Sequence, residues 1–172
     1  MLRSLRAAGI TGLLLALGPP FAVADETVAG KLVAGVIEPV AVGASGLVVD
    51  AKLDTGADTC SLSARDLEQF DRDGAKWVRF RVAAGEGQSA TLEAPVVRTV
   101  RIRRENGASP ARPVVRLPLC LAGIKREVEV SLTDRRRFAY PALIGRNFLA
   151  GYVVVDAARE RITTPDCASP RR

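Results

Sequence analysis

Asp54 heads the run Asp54-Thr55-Gly56-Ala57, directly after the apolar stretch 47–53, so a carboxylate is carried to the end of a strand and into a tight turn. A carboxylate so placed can hydrolyse a peptide bond without metal or covalent nucleophile if a second one faces it. One takes a proton from water while the other, protonated, donates to the substrate carbonyl. Two carboxylates that close cannot both ionise, so the pair titrates as a unit and an acidic to mildly acidic optimum is expected. Gly56 permits close approach of two backbones, and the Thr55 hydroxyl can donate to a neighbouring loop. The sequence holds a single Asp-Thr-Gly, so the second carboxylate is expected from another copy, in a homodimer whose two-fold axis passes through the site.

Other chemistries lack their residues. The 172-residue chain contains no His, which removes Ser-His-Asp and Cys-His pairs, HExxH metal sites and any imidazole base. Cys60, Cys120 and Cys167 are too widely spaced for a paired-cysteine zinc site, and no phosphate-binding glycine loop occurs, so neither metal nor cofactor is expected. A Ser-Lys dyad from Ser61 or Ser63 with Lys52 or Lys125 has no supporting spacing.

The elements that must position Asp54 are short strands. β-Branched and Leu-rich runs at 36–42, 47–53, 77–82, 91–97, 114–121, 128–132 and 152–155 alternate with turn residues, the pattern of an all-β sandwich or barrel. Trp77-Val78-Arg79-Phe80-Arg81-Val82 alternates apolar and polar, so one face is dry and one wet, and Trp77 and Phe80 are read as packing residues. Asn106-Gly107, between the basic strand 99–104 and the segment 112–116, signals a projecting hairpin. Helix is expected only at 63–70, where Ser63 could cap near Asp66, and at 146–149.

Residues 1–24 combine Arg3 and Arg6, the apolar run 10–17 and the small-residue ending Ala22-Val23-Ala24, which reads as a signal peptide cleaved after Ala24 and a periplasmic or secreted product. An N-terminal extension at 25–35, a domain at 36–164 and a frayed tail at 165–172 follow. Removing the signal lowers the net charge of +6 by two and leaves a mildly basic domain. Its Arg clusters have few aromatics between them, which argues against nucleic acid and leaves a solvated surface or attraction of an acidic peptide or anionic envelope polymer. An odd cysteine count in an exported chain leaves at least one thiol unpaired within it. Cys60 and Cys120 read as small core residues, whereas Cys167 lies in the polar tail.

Leu53-Asp54-Thr55-Gly56-Ala57-Asp58-Thr59 resembles the active-site motif of retroviral-type aspartic peptidases. About 90 residues later, Ala142-Leu143-Ile144-Gly145-Arg146-Asn147-Phe148-Leu149 resembles the second signature of that fold. From about Val36 to Thr163 the chain is similar to the bacterial retropepsin-like family first labelled "ATP-dependent zinc protease", through 71–80, 93–97, 112–116 and 129–135. The resemblance implies a small closed retropepsin-like (acid protease) β-barrel with one short C-terminal helix. It also implies Asp54 as catalytic residue, Thr55, Gly56 and Ala57 as its loop, and the hairpin at Asn106 and Gly107 as flap. Leu143, Ile144 and Gly145 would pack beneath the loop. The bacterial relatives usually carry Arg where Asp58 stands and often His where Ser63 stands. Asp58 is therefore expected to pair with Arg146 in a buried or half-buried ion pair.

The expected function is a secreted or periplasmic aspartic endopeptidase acting on a peptide or protein substrate as a homodimer. The alternative is a non-catalytic module of the same fold that binds peptides or an envelope partner, which could be membrane-associated. A third reading, a thiol function at Cys60, requires an exposed thiolate of low pKa.

Overall fold

The computed structural model describes residues 27–85, 87–101, 103–104, 107–108 and 111–167. Along the chain run β1 (Thr27–Val28), β2 (Lys31–Val42), β3 (Leu47–Leu53), β4 (Cys60–Ser63), β5 (Arg65–Arg72), β6 (Ala75–Ala83) and β7 (Ser89–Val100). There follow β8 (Arg103–Arg104), β9 (Gly107–Ala108), β10 (Arg112–Leu121), β11 (Ile124–Thr133), β12 (Ala142–Ile144), α1 (Arg146–Leu149) and β13 (Val153–Glu160). The fold is all-β with one short helix.

Strand order β2-β3-β12-β4-β11-β10 returns to β2 through Leu119↔Val42, Cys120↔Ala41 and Leu121↔Val40, which closes a six-strand barrel. Closure removes the free edges of these six strands. Two of its joints are parallel, β3 with β12 and β4 with β11, so distant stretches of chain meet at the strand ends that carry Asp54 and Gly145. The hydrophobic core shared by the barrel, β6 and α1 contains Phe80, Leu62, Leu121, Leu132, Ile144 and Phe148, all fully buried. Each such side chain contributes about 1.5–3 kcal/mol relative to exposure.

Beyond β10 the sheet continues as a wing, β7-β6-β5. Asp73 and Gly74, both at positive φ, form the two-residue turn from β5 to β6 that matches strand twist. The structure corrects the helical expectation at 63–70: this stretch is the end of β4 and most of β5. The chain there pairs with β6 from Arg65↔Arg81 to Arg72↔Ala75. Cross-strand pairs Asp66–Arg81 and Glu68–Arg79 line the wing, and Ser63 Oγ accepts from the Arg135 amide instead of capping a helix. Local capping signals lose to ladder pairing and cross-strand charge.

β7 and β10 pair up to Val100↔Arg112, and between them β8 and β9 pair through Arg103↔Ala108 and Arg104↔Gly107. Gly107 thus sits in a strand rather than in the turn, while Asn106 lies outside the described residues. The short helix is not the end of the fold. β13 returns to pair with β2, and residues 161–167, expected partly as frayed tail, pack against β2 and β10. Among the described residues no helix is long and apolar enough to cross a membrane.

Candidate active site

β3 ends at Leu53 against Ile144 of β12, and the Asp54 amide donates to the Ile144 carbonyl at 2.9 Å. One oxygen of the Asp54 carboxylate, Oδ1, accepts from the Gly56 amide at 2.9 Å, which fixes the side chain without sealing it from solvent. Asp54 is half-buried, whereas Thr55 and Gly56 are exposed, and the Thr55 hydroxyl has no hydrogen-bond partner among the described residues. The loop therefore presents one oriented carboxylate and one unused hydroxyl on an open face.

Gly145 supports this loop from behind. A Cβ there would stand 2.8 Å from the Thr59 carbonyl carbon and 2.9 Å from the Ala57 oxygen, both backbone atoms, so only glycine fits. The next two amides point into the loop: Arg146 N–H donates to Ala57 O at 2.8 Å and Asn147 N–H to Asp58 O at 3.1 Å. Ile144 is buried in the core beneath, and half-buried Leu143 sits opposite Lys52.

The Arg146 guanidinium donates to the carbonyls of Thr55 and Gly56, each at 3.0 Å, and pairs with the Asp58 carboxylate. The two residues expected to pair are together, but the expected burial is corrected. Their side chains keep 49% and 84% of their exposure. Both lie on the open face beside the loop, where water screens the pair and its net contribution falls to about 1 kcal/mol or less.

Asn147 is the residue the sequence reading did not single out. Its Oδ1 accepts from the Cys60 amide at 3.1 Å and its Nδ2 donates to Glu129 O at 2.8 Å, joining β4 and β11 to the helix start. The only signal for it was its place in the second motif, because an amide that donates and accepts at once serves two strands. Cys60 is fully buried, its thiol donates to the same Asn147 oxygen, and burial pushes its pKa up to about 11. That is opposite to what a reactive thiol requires, so the thiol-function reading is excluded.

A second residue to which the sequence reading gave no role in the site is Arg135, counted there in the basic cluster 135–137. It is buried, its Nε donates to Tyr140 O at 3.1 Å, one terminal nitrogen donates to Ser61 Oγ at 2.8 Å, and it stacks on the Phe138 ring at 4.7 Å. Burial lowers its pKa, the charge of Arg112 adds to this, and the negative charge of Asp54 opposes it. The candidate catalytic carboxylate thus lies within electrostatic reach of a buried cation.

Among the described residues no three metal-ligating side chains converge. The two carboxylates four residues away from Asp54 are both taken up, Asp58 by Arg146 and Asp50 by Arg161. The described residues of the chain thus present one oriented carboxylate, Asp54, on the open face of this loop.

A family model described as "Retropepsin-like aspartic endopeptidase RimB" matches residues 33–166. The chain belongs to this RimB-like family. A "Probable alpha-L-glutamate ligase" of Parasynechococcus marenigrum is 32% identical over 130 residues, 73% of this chain. One of Shewanella pealeana is 32% identical over 111 residues, 63% of this chain. The matched segments make up 28% and 24% of those proteins, so the chain spans about a quarter of the length of the curated relatives it matches. Among solved structures, a Legionella pneumophila protein described as of unknown function superimposes with a TM-score of 0.67 at 33% identity, covering 77% of this chain and 98% of that one.

Proposed function

We propose that this RimB-like chain is an exported aspartic endopeptidase that acts as a homodimer, each copy contributing one Asp54. The observation that carries this reading is the half-exposed Asp54 carboxylate, held by the Gly56 amide on a face where Thr55 and Gly56 are open. Two such faces brought together by a two-fold axis would set two carboxylates around one water. The unprotonated Asp54 takes a proton from that water as its oxygen attacks the scissile carbonyl carbon. The protonated Asp54 of the other copy donates to the carbonyl oxygen, giving a neutral tetrahedral diol. Return of a proton to the amide nitrogen breaks the C–N bond and releases amine and acid.

Two features support the finer parts of the proposal. The Cys120–Cys167 disulfide suits an oxidising compartment, in keeping with the signal-like residues 1–24. A cavity of about 670 Å³ lined by Leu67, Arg112, Asp134, Arg136 and Arg137 offers a mainly basic surface beside the loop of Arg135. This suits a peptide substrate with acidic side chains, and glutamate is the amino acid in the relatives' name.

The test is cleavage of a diverse peptide library, acidic sequences included, between about pH 4 and 7 by the mature protein beside Asp54→Asn. The reading expects cleavage by the wild type and its loss in the variant, with a dimer in sedimentation. An active Asp54→Asn protein would overturn it. One carboxylate per chain keeps a second reading open, a peptide-binding module of the same fold. A monomer at every working concentration that still binds peptides would select that reading.

A further inference from the structure

Residues 161–167 form a strap that leaves β13 and crosses the joint between β2 and β10. At its start the Arg161 amide donates to Ile37 O at 2.7 Å, and the Arg161 guanidinium pairs with Asp50 of β3 at 2.7 Å. The next two residues close on Glu38, a carboxylate with no exposure at all. Its oxygens accept from the amides of Ile162 at 3.2 Å and Thr163 at 3.0 Å, and from the Thr163 hydroxyl at 2.8 Å. Glu38 also accepts from the Gly35 amide at 2.6 Å, so this buried side chain has four donors. The far end of the strap is bonded to β10, where Cys167 is disulfide-linked to Cys120 with Cα atoms 6.1 Å apart.

These anchors lie on opposite sides of one joint. Glu38 belongs to β2, Cys120 to β10, and the two strands meet over three residue pairs, in which Cys120 itself faces Ala41. The disulfide that ties the strap to Cys120 and the hydrogen bonds that tie it to Glu38 together hold the barrel shut where β2 and β10 meet. Cys120 is buried, as the sequence reading had it, but the pairing adds what that reading lacked: its partner is Cys167, which had been placed in the polar tail. The pairing also leaves the odd thiol, Cys60, buried against Asn147.

We propose that Cys120 and Cys167 form an oxidation-dependent brace, so that the barrel reaches full stability only where disulfides are made. Each thiol loses a proton and together they give two electrons to the disulfide of a thiol-oxidising protein, which leaves as a dithiol. The Cys120–Cys167 bond forms and the oxidant's bond breaks. In the reduced state the Cys120 sulfur, 3.2 Å from Pro165 O, becomes a thiol that can donate there, so the strap loosens without a buried polar group being stranded. The inference is independent of peptidase activity.

The experiment compares melting of the mature wild type, Cys167→Ser and Cys60→Ala, each with and without dithiothreitol, after alkylation and mass spectrometry have established which thiols are free. The brace predicts one free thiol, Cys60, in the oxidised wild type. It also predicts a fall in Tm of about 5–15 °C on reduction, from the loop closed by the bond. Cys167→Ser should melt with the reduced wild type and ignore the reductant, while Cys60→Ala should respond as the wild type does. Three free thiols in protein made in an oxidising compartment would overturn the proposal. A linked pair whose reduction leaves Tm unchanged would do the same.

Discussion

Gly145 and Thr59 touch through backbone alone: a Cβ on Gly145 would lie 2.8 Å from the Thr59 carbonyl carbon and 3.0 Å from its oxygen. This approach lets the amides of Arg146 and Asn147 reach the carbonyls of Ala57 and Asp58 in the Asp54 loop. Gly145→Ala must push the loop away from α1. The expected cost is about 1–3 kcal/mol, as for other overpacked sites, seen as a lower denaturant midpoint together with lost peptide cleavage. A variant as stable as the wild type would mean that the loop moves freely.

Arg146 and Asp58 should not cost the same. Asp58→Asn removes a screened surface charge and is expected to cost about 1 kcal/mol or less. Arg146→Ala also takes away the donors to the Thr55 and Gly56 carbonyls, so its cost should be larger, with a bigger fall in kcat than in KM. Urea melts of both variants, with and without added salt, measure the difference, and only the Asp58 effect should shrink in salt.

Asn147→Ala leaves the Cys60 amide and the Glu129 carbonyl without their partner. An unsatisfied part-buried group costs about 1–3 kcal/mol, so this substitution should destabilise the domain more than Asp58→Asn does. Asn147→Asp keeps the acceptor but loses the donor, and should fall between the two when the three melts are compared.

The Cys60 thiol has a sign that can be checked. Its pKa rises from 9.0 unfolded to about 11 folded, because burial disfavours the thiolate. The folded state then holds its proton more tightly than the unfolded state. The resulting stability is fully present below pH 9, and is lost as pH climbs toward about 11. The difference in stability between wild type and Cys60→Ala, followed by chemical denaturation across that window, should decline with pH. A flat difference would refute the burial of this thiol.

Asp54→Asn keeps an oxygen that can accept from the Gly56 amide, so the variant should melt close to the wild type while cleavage disappears. Circular dichroism melts beside the peptide assay separate loss of chemistry from loss of fold.

Local pattern was enough for much of this molecule. The strand 47–53 was readable residue for residue, since apolar alternation and a following Asp-Thr-Gly leave no other local structure. The absence of His and the single Asp-Thr-Gly narrowed the chemistry to a paired-carboxylate reading, and the resemblance of 142–149 to the second retropepsin-like signature pointed to the segment that packs against the Asp54 loop. What lay beyond the sequence was everything set by which strands become neighbours. Residues 63–70 carry a helix-capping signal, yet pairing with β6 makes them strand. Cys120 has the surroundings of a core residue until the strap returns from β13 and brings Cys167 to it. Arg135 reads as one of three surface arginines, and only the fold of its loop against Ser61 and Tyr140 buries it near Asp54. Periodicity and turn chemistry act over a few residues, whereas the Cys120–Cys167 and Ser61–Arg135 contacts join positions 47 and 74 residues apart, and their free energy appears only once the barrel has closed.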